Sequence, residues 1–72
     1  MLTIERIKEE EYGNLGFGQI FYWKDAYWMA EDVHWSDTGY RSMCIFPLDK
    51  RGEVEYLDDD ERVIICRVKE HY

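Results

Sequence analysis

The residue types that can form a hydrolytic site stand close together near the middle of the chain. His34, Ser36 and Asp37 supply an imidazole, a hydroxyl and a carboxylate within one short stretch. Such a site works only when the nucleophile and its base converge within hydrogen-bond distance. Residues this close in sequence on one polar loop seldom converge in that way, so we interpret His34 as a solvated loop histidine. The sequence therefore predicts that the chain is not an enzyme.

Zinc is the metal that the other reactive side chains would suit, with Cys44, Cys66, His34 and His71 as the candidate ligands. No C-x-x-C or H-x-x-x-H pair is present, and both cysteines stand inside apolar runs, where a free thiol behaves as a small hydrophobic side chain. We therefore expect two reduced cysteines and no metal or other cofactor. A disulfide would form only if the two cysteines lie on neighbouring strands and face the same way.

The composition is that of one small acidic domain over residues 1–72. A chain of this length buries roughly 60% of its unfolded surface around a single core. The formal net charge of −7 would repel a phosphate backbone, so we expect no direct binding of nucleic acid. The apolar runs are too short to cross a bilayer, and no basic segment precedes an apolar one as in a secretory signal. These features predict a cytoplasmic protein that does not contact a membrane.

Five segments have the composition of β-strands, with β-branched and aromatic residues bounded by turn residues. They are residues 18–23, 26–30, 41–48, 53–57 and 63–68. Lys24 and Asp25 separate the first two segments as a hairpin turn, and a turn ending at Gly52 separates the third from the fourth. Residues 2–11 fit one helical turn or a short strand equally well.

Short antiparallel strands joined by tight turns predict a mainly β fold. We expect a small five-stranded antiparallel SH3-like barrel or roll, with at most one short helical turn near the N terminus. Closure into a barrel would hide most of the sheet edges. An OB-like barrel is the alternative, although 72 residues would be short for it. Residues 12–18 and 31–39 are expected to form loops.

Several of the strand residues together resemble small uncharacterised proteins encoded by bacteriophages and mobile elements. The matching segments follow the pattern G-x-I-F, Y-x-M and G-E-x-x-x-L, and they are Gly18-Gln19-Ile20-Phe21, Tyr27-Trp28-Met29 and the stretch from Gly52 to Leu57. These positions form the fold and are not catalytic. The resemblance therefore implies an SH3-like β roll and a viral or mobile-element origin, without implying an activity.

The first hairpin carries aromatic side chains on both of its alternating faces. Because a barrel interior takes only one alternating set, the other set must be exposed or covered by another segment. We predict an exposed aromatic patch made of Trp23, Trp28, Trp35 and Tyr40, since tryptophan and tyrosine are common anchors of protein interfaces. The alternative is that the glycine-rich loop or the N-terminal segment folds over this set.

Acidic residues occur in runs at 9–11, 31–32 and 58–61, and they alternate with apolar residues in 53–57, as in a strand with one wet and one buried face. Runs of this kind usually serve only to solvate a surface. Spaced carboxylates on a rigid fold can also imitate a phosphate track and occupy the basic groove of a nucleic-acid-binding protein. The candidate binding residues of this kind are Glu31, Asp32, Glu53, Glu55, Asp58, Asp59, Asp60 and Glu61.

These observations favour a small acidic interaction protein of a phage or mobile element, which binds a host protein that has a basic nucleic-acid-binding surface. Inhibition of a defence system, such as a CRISPR effector, is the most concrete form of this hypothesis. The alternative is a structural or assembly protein that self-associates into a homo-oligomer through its aromatic face. A peptide-binding module of the SH3 type is a third hypothesis, which requires the aromatic side chains to line a groove.

Overall fold

The computed structural model describes the backbone of residues 2–35 and 39–70, and the side chains of residues 3–31 and 41–70. The described residues form six β-strands: β1 (Leu2–Glu11), β2 (Ile20–Trp23), β3 (Ala26–Trp35), β4 (Gly39–Phe46), β5 (Val54–Leu57) and β6 (Arg62–Glu70). Single 3-10 turns occupy Tyr12–Asn14 and Leu48–Lys50. No helix in this part of the chain is long and apolar enough to cross a membrane. The mainly β, antiparallel class is confirmed.

The N-terminal segment forms a sixth strand, so the prediction of five strands is wrong. β1 pairs antiparallel with β6 along its whole length. Ile7 is an extra residue in this ladder, because the register shifts between Arg6 and Lys8. A β-bulge of this kind breaks the alternation of side chains along the strand, which is why the segment fits a helical turn as well as a strand. The other five predicted strands are all found, but β3 continues through residues 31–35, which we expected to form a loop.

A four-residue link forces the sheet to curl. The strand order is β1-β6-β2-β3-β4-β5, so three strands lie between β5 and β6 although only residues 58–61 connect them. In a flat sheet the two strands would be about 19 Å apart, at four spacings of about 4.8 Å. The link contains a turn closed by a 3.1 Å hydrogen bond from Glu61 N–H to Asp58 O. Because this turn is closed, the distance from Leu57 Cα to Arg62 Cα is at most about 15 Å. Curvature of the sheet must therefore bring β5 and β6 together.

The curled sheet remains open. In the described part of the chain, β1 and β5 each pair with one neighbour only and form the two edges. The closure that we predicted for a barrel is therefore not found. Two backbone hydrogen bonds, each 2.8 Å, instead connect the residues after β1 to the link between β5 and β6: Tyr12 N–H donates to Glu61 O, and Gly13 N–H donates to Asp59 O.

The core lies on the inner face of the curl. Phe21, Trp28 and Cys44 are cross-strand neighbours in β2, β3 and β4, and all three are buried. Tyr12 covers this face from the end of β1: its ring lies edge-on at 5.4 Å from the ring of Phe21, and its hydroxyl lies 2.5 Å from Ser42 Oγ. The other members of the buried cluster are Ala26, Ala30, Leu57 and Val63. The buried hydroxyl pair fixes the segment after β1 against β4.

The two cysteines lie on opposite faces of the sheet. Cys44 packs in the core, whereas Cys66 is the partner of Ile20 on the other face, and both thiols are buried and free. The shared orientation that a disulfide requires is therefore absent. Burial raises the pKa of the Cys66 thiol and so keeps it protonated.

Gly13 allows a direct test of the connection between β1 and the link at 58–61. A Cβ atom at this position would lie 3.0 Å from Asp59 Cβ and 3.1 Å from Asp59 O. The backbone would have to move to accommodate it, so we expect Gly13→Ala to lower the free energy of unfolding by about 1–3 kcal/mol. Urea denaturation followed by tryptophan fluorescence measures this change.

The matched control is Gly16→Ala, because a Cβ atom at Gly16 meets nothing within 4 Å. This variant should be neutral or more stable than the wild type by up to about 1 kcal/mol, since alanine restricts the unfolded chain. Equal destabilisation by the two substitutions would contradict a specific role for the contact at Gly13.

Candidate binding surface

The two tryptophans of the first hairpin face inward. Trp28 is 2% exposed, and its indole Nε1 donates a 2.8 Å hydrogen bond to Trp23 O. Trp23 is half-buried and packs edge-on against Trp28, with ring centroids 5.5 Å apart. The prediction that Trp28 belongs to an exposed patch is therefore wrong, and Tyr12 packs in the same buried cluster. The small side chains of Ala26 and Ala30 stand on either side of Trp28 on the same face and leave room for a buried indole.

The opposite set of side chains forms a surface that we call the outer face. Its apolar members alternate with the core residues across the sheet: Ile20, Tyr22, Tyr27, Met29, Met43, Phe46, Val54, Tyr56, Ile64, Cys66 and Val68. Arg41, the partner of Tyr56, lies on the same face and is paired with Glu31. Ile20 is buried among its neighbours, but Phe46 is 54% and Tyr56 is 49% exposed. The outer face is therefore mostly aromatic, methionine and aliphatic, and part of it is open to solvent.

Arg6 places a cation on the outer face. Its guanidinium carbon lies 3.9 Å from the ring centroid of Tyr22 and 5.9 Å from that of Tyr27. Nη2 donates a 3.5 Å hydrogen bond to the Tyr27 hydroxyl, and this bond raises the pKa of the guanidinium above its ordinary value. Sequence analysis missed this cluster, because Arg6 reaches the two rings only across β6, in a sheet order that the sequence did not reveal.

Four of the predicted site residues belong to the end of β3 and the start of β4. Glu31 is already paired with a cation of this chain, because its Oε2 lies 3.0 Å from Arg41 Nε. The Nε–H of Arg41 does not point at this oxygen, so the contact is an ion pair without a hydrogen bond. The side chains of the other three, Asp32, Trp35 and Tyr40, lie outside the described residues.

Glu53 and Glu55 lie at the β5 edge of the sheet. We predicted that they occupy the wet face of this strand and that Tyr56 occupies the buried face. The assignment of Tyr56 is wrong, because Tyr56 is exposed, whereas Leu57 on the opposite face of the strand is buried. Glu55 is half-buried opposite Ser42, and Glu53 is exposed. The reason is the curl of the sheet, which encloses Leu57 beside the link at 58–61 and leaves the rest of the edge open.

Seven carboxylates meet at one end of the curled sheet, which we call the acidic end. They are Glu9, Glu10, Glu11, Asp58, Asp59, Asp60 and Glu61. The ladder between β1 and β6 places 9–11 beside the start of β6, where Glu11 is opposite Arg62. The hydrogen bonds from Tyr12 N–H and Gly13 N–H hold 58–61 at the same place. The fold thus joins two acidic runs that are far apart in the sequence.

Two cations lie among these carboxylates. Arg62 Nε donates a 2.8 Å hydrogen bond to Glu9 Oε1, which raises the pKa of the guanidinium above its ordinary value. Arg62 Nη1 also lies 3.8 Å from Glu11 Oε1, and Lys8 Nζ lies 3.6 Å from Glu10 Oε2. Seven carboxylates and two cations leave an excess of five negative charges at the acidic end.

Trp23 connects the first hairpin to the acidic end. Its indole Nε1 donates a 3.0 Å hydrogen bond to Glu61 Oε1. The Lys24 ammonium lies 4.4 Å from the centroid of the same ring. Among the predicted site residues, the structure therefore brings Trp23 together with the carboxylates of 58–61. It does not place Trp28 on this surface, because that indole is buried.

In the described part of the chain, no three His, Cys, Asp or Glu side chains are grouped so that they could hold a metal ion. His34 and His71 lie outside the described side chains, as do Ser36 and Asp37. No family model matches the chain, and no curated protein or solved structure matches it either. The acidic end, the outer face and the sheet edges are therefore the candidate binding surfaces of this chain.

The carboxylate of Glu10 predicts how stability depends on pH. Asn14 Nδ2 donates a 3.1 Å hydrogen bond to Glu10 Oε1, and Glu11 N–H donates another of 3.0 Å to the same atom. The bond from Asn14 is the largest cause that lowers the pKa of Glu10 below its ordinary value of 4.5. A lowered pKa in the folded state means that this stabilisation is present above the unfolded pKa and is lost as the pH falls through the folded pKa.

We therefore expect Glu10→Gln to be less stable than the wild type at neutral pH, with a difference that disappears below both pKa values. Urea denaturation at a series of pH values down to about 3 measures this difference. The control is Glu70→Gln, because the Glu70 carboxylate is exposed and makes no hydrogen bond or ion pair with the described side chains. Parallel curves for the wild type and Glu10→Gln would show that these hydrogen bonds do not stabilise the fold.

Proposed function

We propose that this chain is a small protein-binding protein of phage or mobile-element origin, which acts by stoichiometric binding to a host protein in the host cytoplasm. The partner has a basic nucleic-acid-binding surface. Inhibition of a defence system, such as a CRISPR effector, is the most concrete form of the proposal. The chain itself catalyses no reaction and contacts neither nucleic acid nor membrane. In this proposal the curled sheet is an open form of the SH3-like roll that the sequence resemblance implies.

The observation that supports this proposal most strongly is the acidic end. Its excess negative charge is held on a frame of paired strands and two backbone hydrogen bonds to 58–61. Backbone that is already ordered loses little conformational entropy when a partner binds. A concentrated negative potential also steers a basic partner toward the site and disfavours acidic ones. Carboxylates that served only solubility would not need to converge from two separate runs at one end.

Trp23 gives the acidic end an aromatic anchor. Its ring is half-buried against Trp28 and is fixed by the hydrogen bond to Glu61, so the exposed part of the indole has a defined position. Tryptophan is enriched among the residues that contribute most of the binding energy of protein interfaces. We infer that the carboxylates set the charge preference of the site and that Trp23 contributes apolar contact area.

Charge reversal at the acidic end tests this proposal. We expect the tagged protein to retain a basic nucleic-acid-binding protein from bacterial lysate at low salt and to release it at high salt, because screening weakens exposed charge contacts. Asp58→Lys combined with Asp60→Lys should abolish this retention. Asp59 is left unchanged, because it packs against Gly13. Mass spectrometry and band intensities give the identity and stoichiometry of the retained protein.

The control double variant, Asp49→Lys with Glu70→Lys, makes the same change in net charge at exposed positions that do not belong to the acidic end. It should retain the partner. Loss of the partner from both double variants would show that total charge, and not the acidic end, governs binding. A wild-type protein that retains no basic partner at any salt concentration would contradict the proposal.

The exposed apolar side chains of the outer face favour a second candidate function, which is self-association. Phe46, Tyr56 and Val68 are each about half exposed there. Exposed apolar side chains on one face of a sheet can mark a surface that is covered in a complex. In this candidate the chain is a structural or assembly protein that forms a homo-oligomer through the outer face.

Phe46 distinguishes the second candidate from the first. If the outer face self-associates, sedimentation velocity at increasing protein concentration will show a dimer. Phe46→Ser should then raise the Kd of the dimer about tenfold or more. The matched control is Phe17→Ser, because Phe17 is 78% exposed but lies in the loop before β2 and does not belong to the outer face as defined by its strands. A monomer at every concentration would rule out self-association and leave the first proposal.

A further inference from the structure

β5 is the less protected edge of the sheet. β1, the other edge, has an extra residue at Ile7 and carries the basic residues Arg6 and Lys8, and both features hinder the addition of another strand. β5 pairs with β4 without a register shift and contains neither proline nor a basic residue. In the described part of the chain, no strand lies beyond it. The edge of β5 is therefore open to main-chain pairing.

The free hydrogen-bonding groups of this edge belong to Val54 and Tyr56. Cys44 N–H donates a 2.7 Å hydrogen bond to Glu53 O, so the carbonyl of Glu53 faces β4. In an antiparallel ladder, the groups that face one neighbour recur at every second residue, which directs Glu55 and Leu57 toward β4 as well. The N–H and C=O groups of Val54 and Tyr56 then point away from the sheet, where one added strand can pair with them.

The side chains along this edge differ between its two faces. Val54 and Tyr56 lie on the outer face, where Tyr56 is half exposed. Glu53 and Glu55 lie on the other side, and neither takes part in an ion pair among the described residues. Asp58 follows β5 directly and extends the negative charge into the acidic end. An added strand would therefore meet apolar side chains on one face and carboxylates on the other.

We propose that the edge of β5 binds an extended segment of the partner in which basic and apolar residues alternate. The segment joins the sheet by main-chain hydrogen bonds to Val54 and Tyr56, as in β-strand addition. Its apolar side chains continue the outer face, and its lysines or arginines face Glu53 and Glu55. This inference rests on the proposed function, which supplies a basic partner, and it adds the position and mode of binding.

A second copy of this chain does not suit the same edge. If two β5 strands pair antiparallel so that Val54 of each copy lies opposite Tyr56 of the other, Glu55 lies opposite Glu55. Like charges directly opposite each other destabilise a strand pair. The acidic end beside each strand adds further repulsion. The edge therefore selects a basic segment and opposes pairing with itself.

Two synthetic peptides of identical composition test the inference. The alternating peptide is acetyl-Val-Lys-Val-Lys-Val-Lys-amide, and the block peptide is acetyl-Val-Val-Val-Lys-Lys-Lys-amide. Because their charges are equal, attraction by the acidic surface alone predicts similar affinities. We expect calorimetry to show that the alternating peptide binds about tenfold or more tightly, since only it can place apolar and basic side chains on opposite faces of a strand. We also expect it to slow the hydrogen exchange of the Val54 and Tyr56 amides.

Two variants separate main-chain pairing from charge. Tyr56→Pro removes an N–H that points away from the sheet, so it should reduce the affinity of the alternating peptide to that of the block peptide. Glu53→Lys with Glu55→Lys should abolish binding of the alternating peptide, whereas the control pair Asp49→Lys with Glu70→Lys should retain it. Circular dichroism tests whether each variant folds. If Tyr56→Pro does not fold, the hydrogen exchange of the wild-type Val54 and Tyr56 amides still decides the test.

Equal affinities of the two peptides, or unchanged exchange at Val54 and Tyr56, would overturn the inference. Retention of a basic partner that depends on Asp58 and Asp60 would then still support the acidic end as the binding site. If the proposed function itself is wrong, the result is different: the wild-type protein retains no basic partner from the lysate.

Discussion

The short link between β5 and β6 governs the shape of this protein. Because residues 58–61 connect two strands that have three others between them, the sheet must curl until its inner face encloses a core. Phe21, Trp28 and Leu57 are buried inside this single curled layer. Tyr12 covers the remaining opening by packing on Phe21 and bonding to Ser42. In a chain of 72 residues, curvature thus takes the place of the second layer that larger β domains use.

The same link also concentrates negative charge at the acidic end. Its four acidic residues lie beside 9–11, and Arg62, Lys8 and Asn14 offset only part of the repulsion among them. Exposed ion pairs of this kind contribute little to folding, so they do not account for the excess of carboxylates. A basic partner would relieve the repulsion when it binds, which adds to its affinity. The excess charge of the acidic end therefore favours the proposed complex.

The local residue pattern predicted most of the strands and turns. It could not predict the order of the strands, because that order depends on pairing between segments far apart in the sequence. The predicted hairpin between β2 and β3 is found, with a two-residue turn at φ 50° for Lys24 and 60° for Asp25, although neither is the glycine or asparagine that this geometry favours. The bulge at Ile7 concealed β1. The burial of Trp28 could have been predicted from the small residues Ala26 and Ala30 on its face. The acidic runs were visible in the sequence, but their convergence required the pairing of β1 with β6.

An open sheet has two faces and two edges, and in this protein only some of them are available to bind a partner. The core occupies the inner face, and the bulge and basic residues of β1 protect one edge. The outer face and the edge of β5 remain, and they meet at Tyr56, which is half exposed. A segment bound along β5 would cover Tyr56 and extend the outer face by one strand. Partner binding and self-association would therefore compete for adjoining surface, so a chain engaged by its partner is not expected to assemble through the outer face.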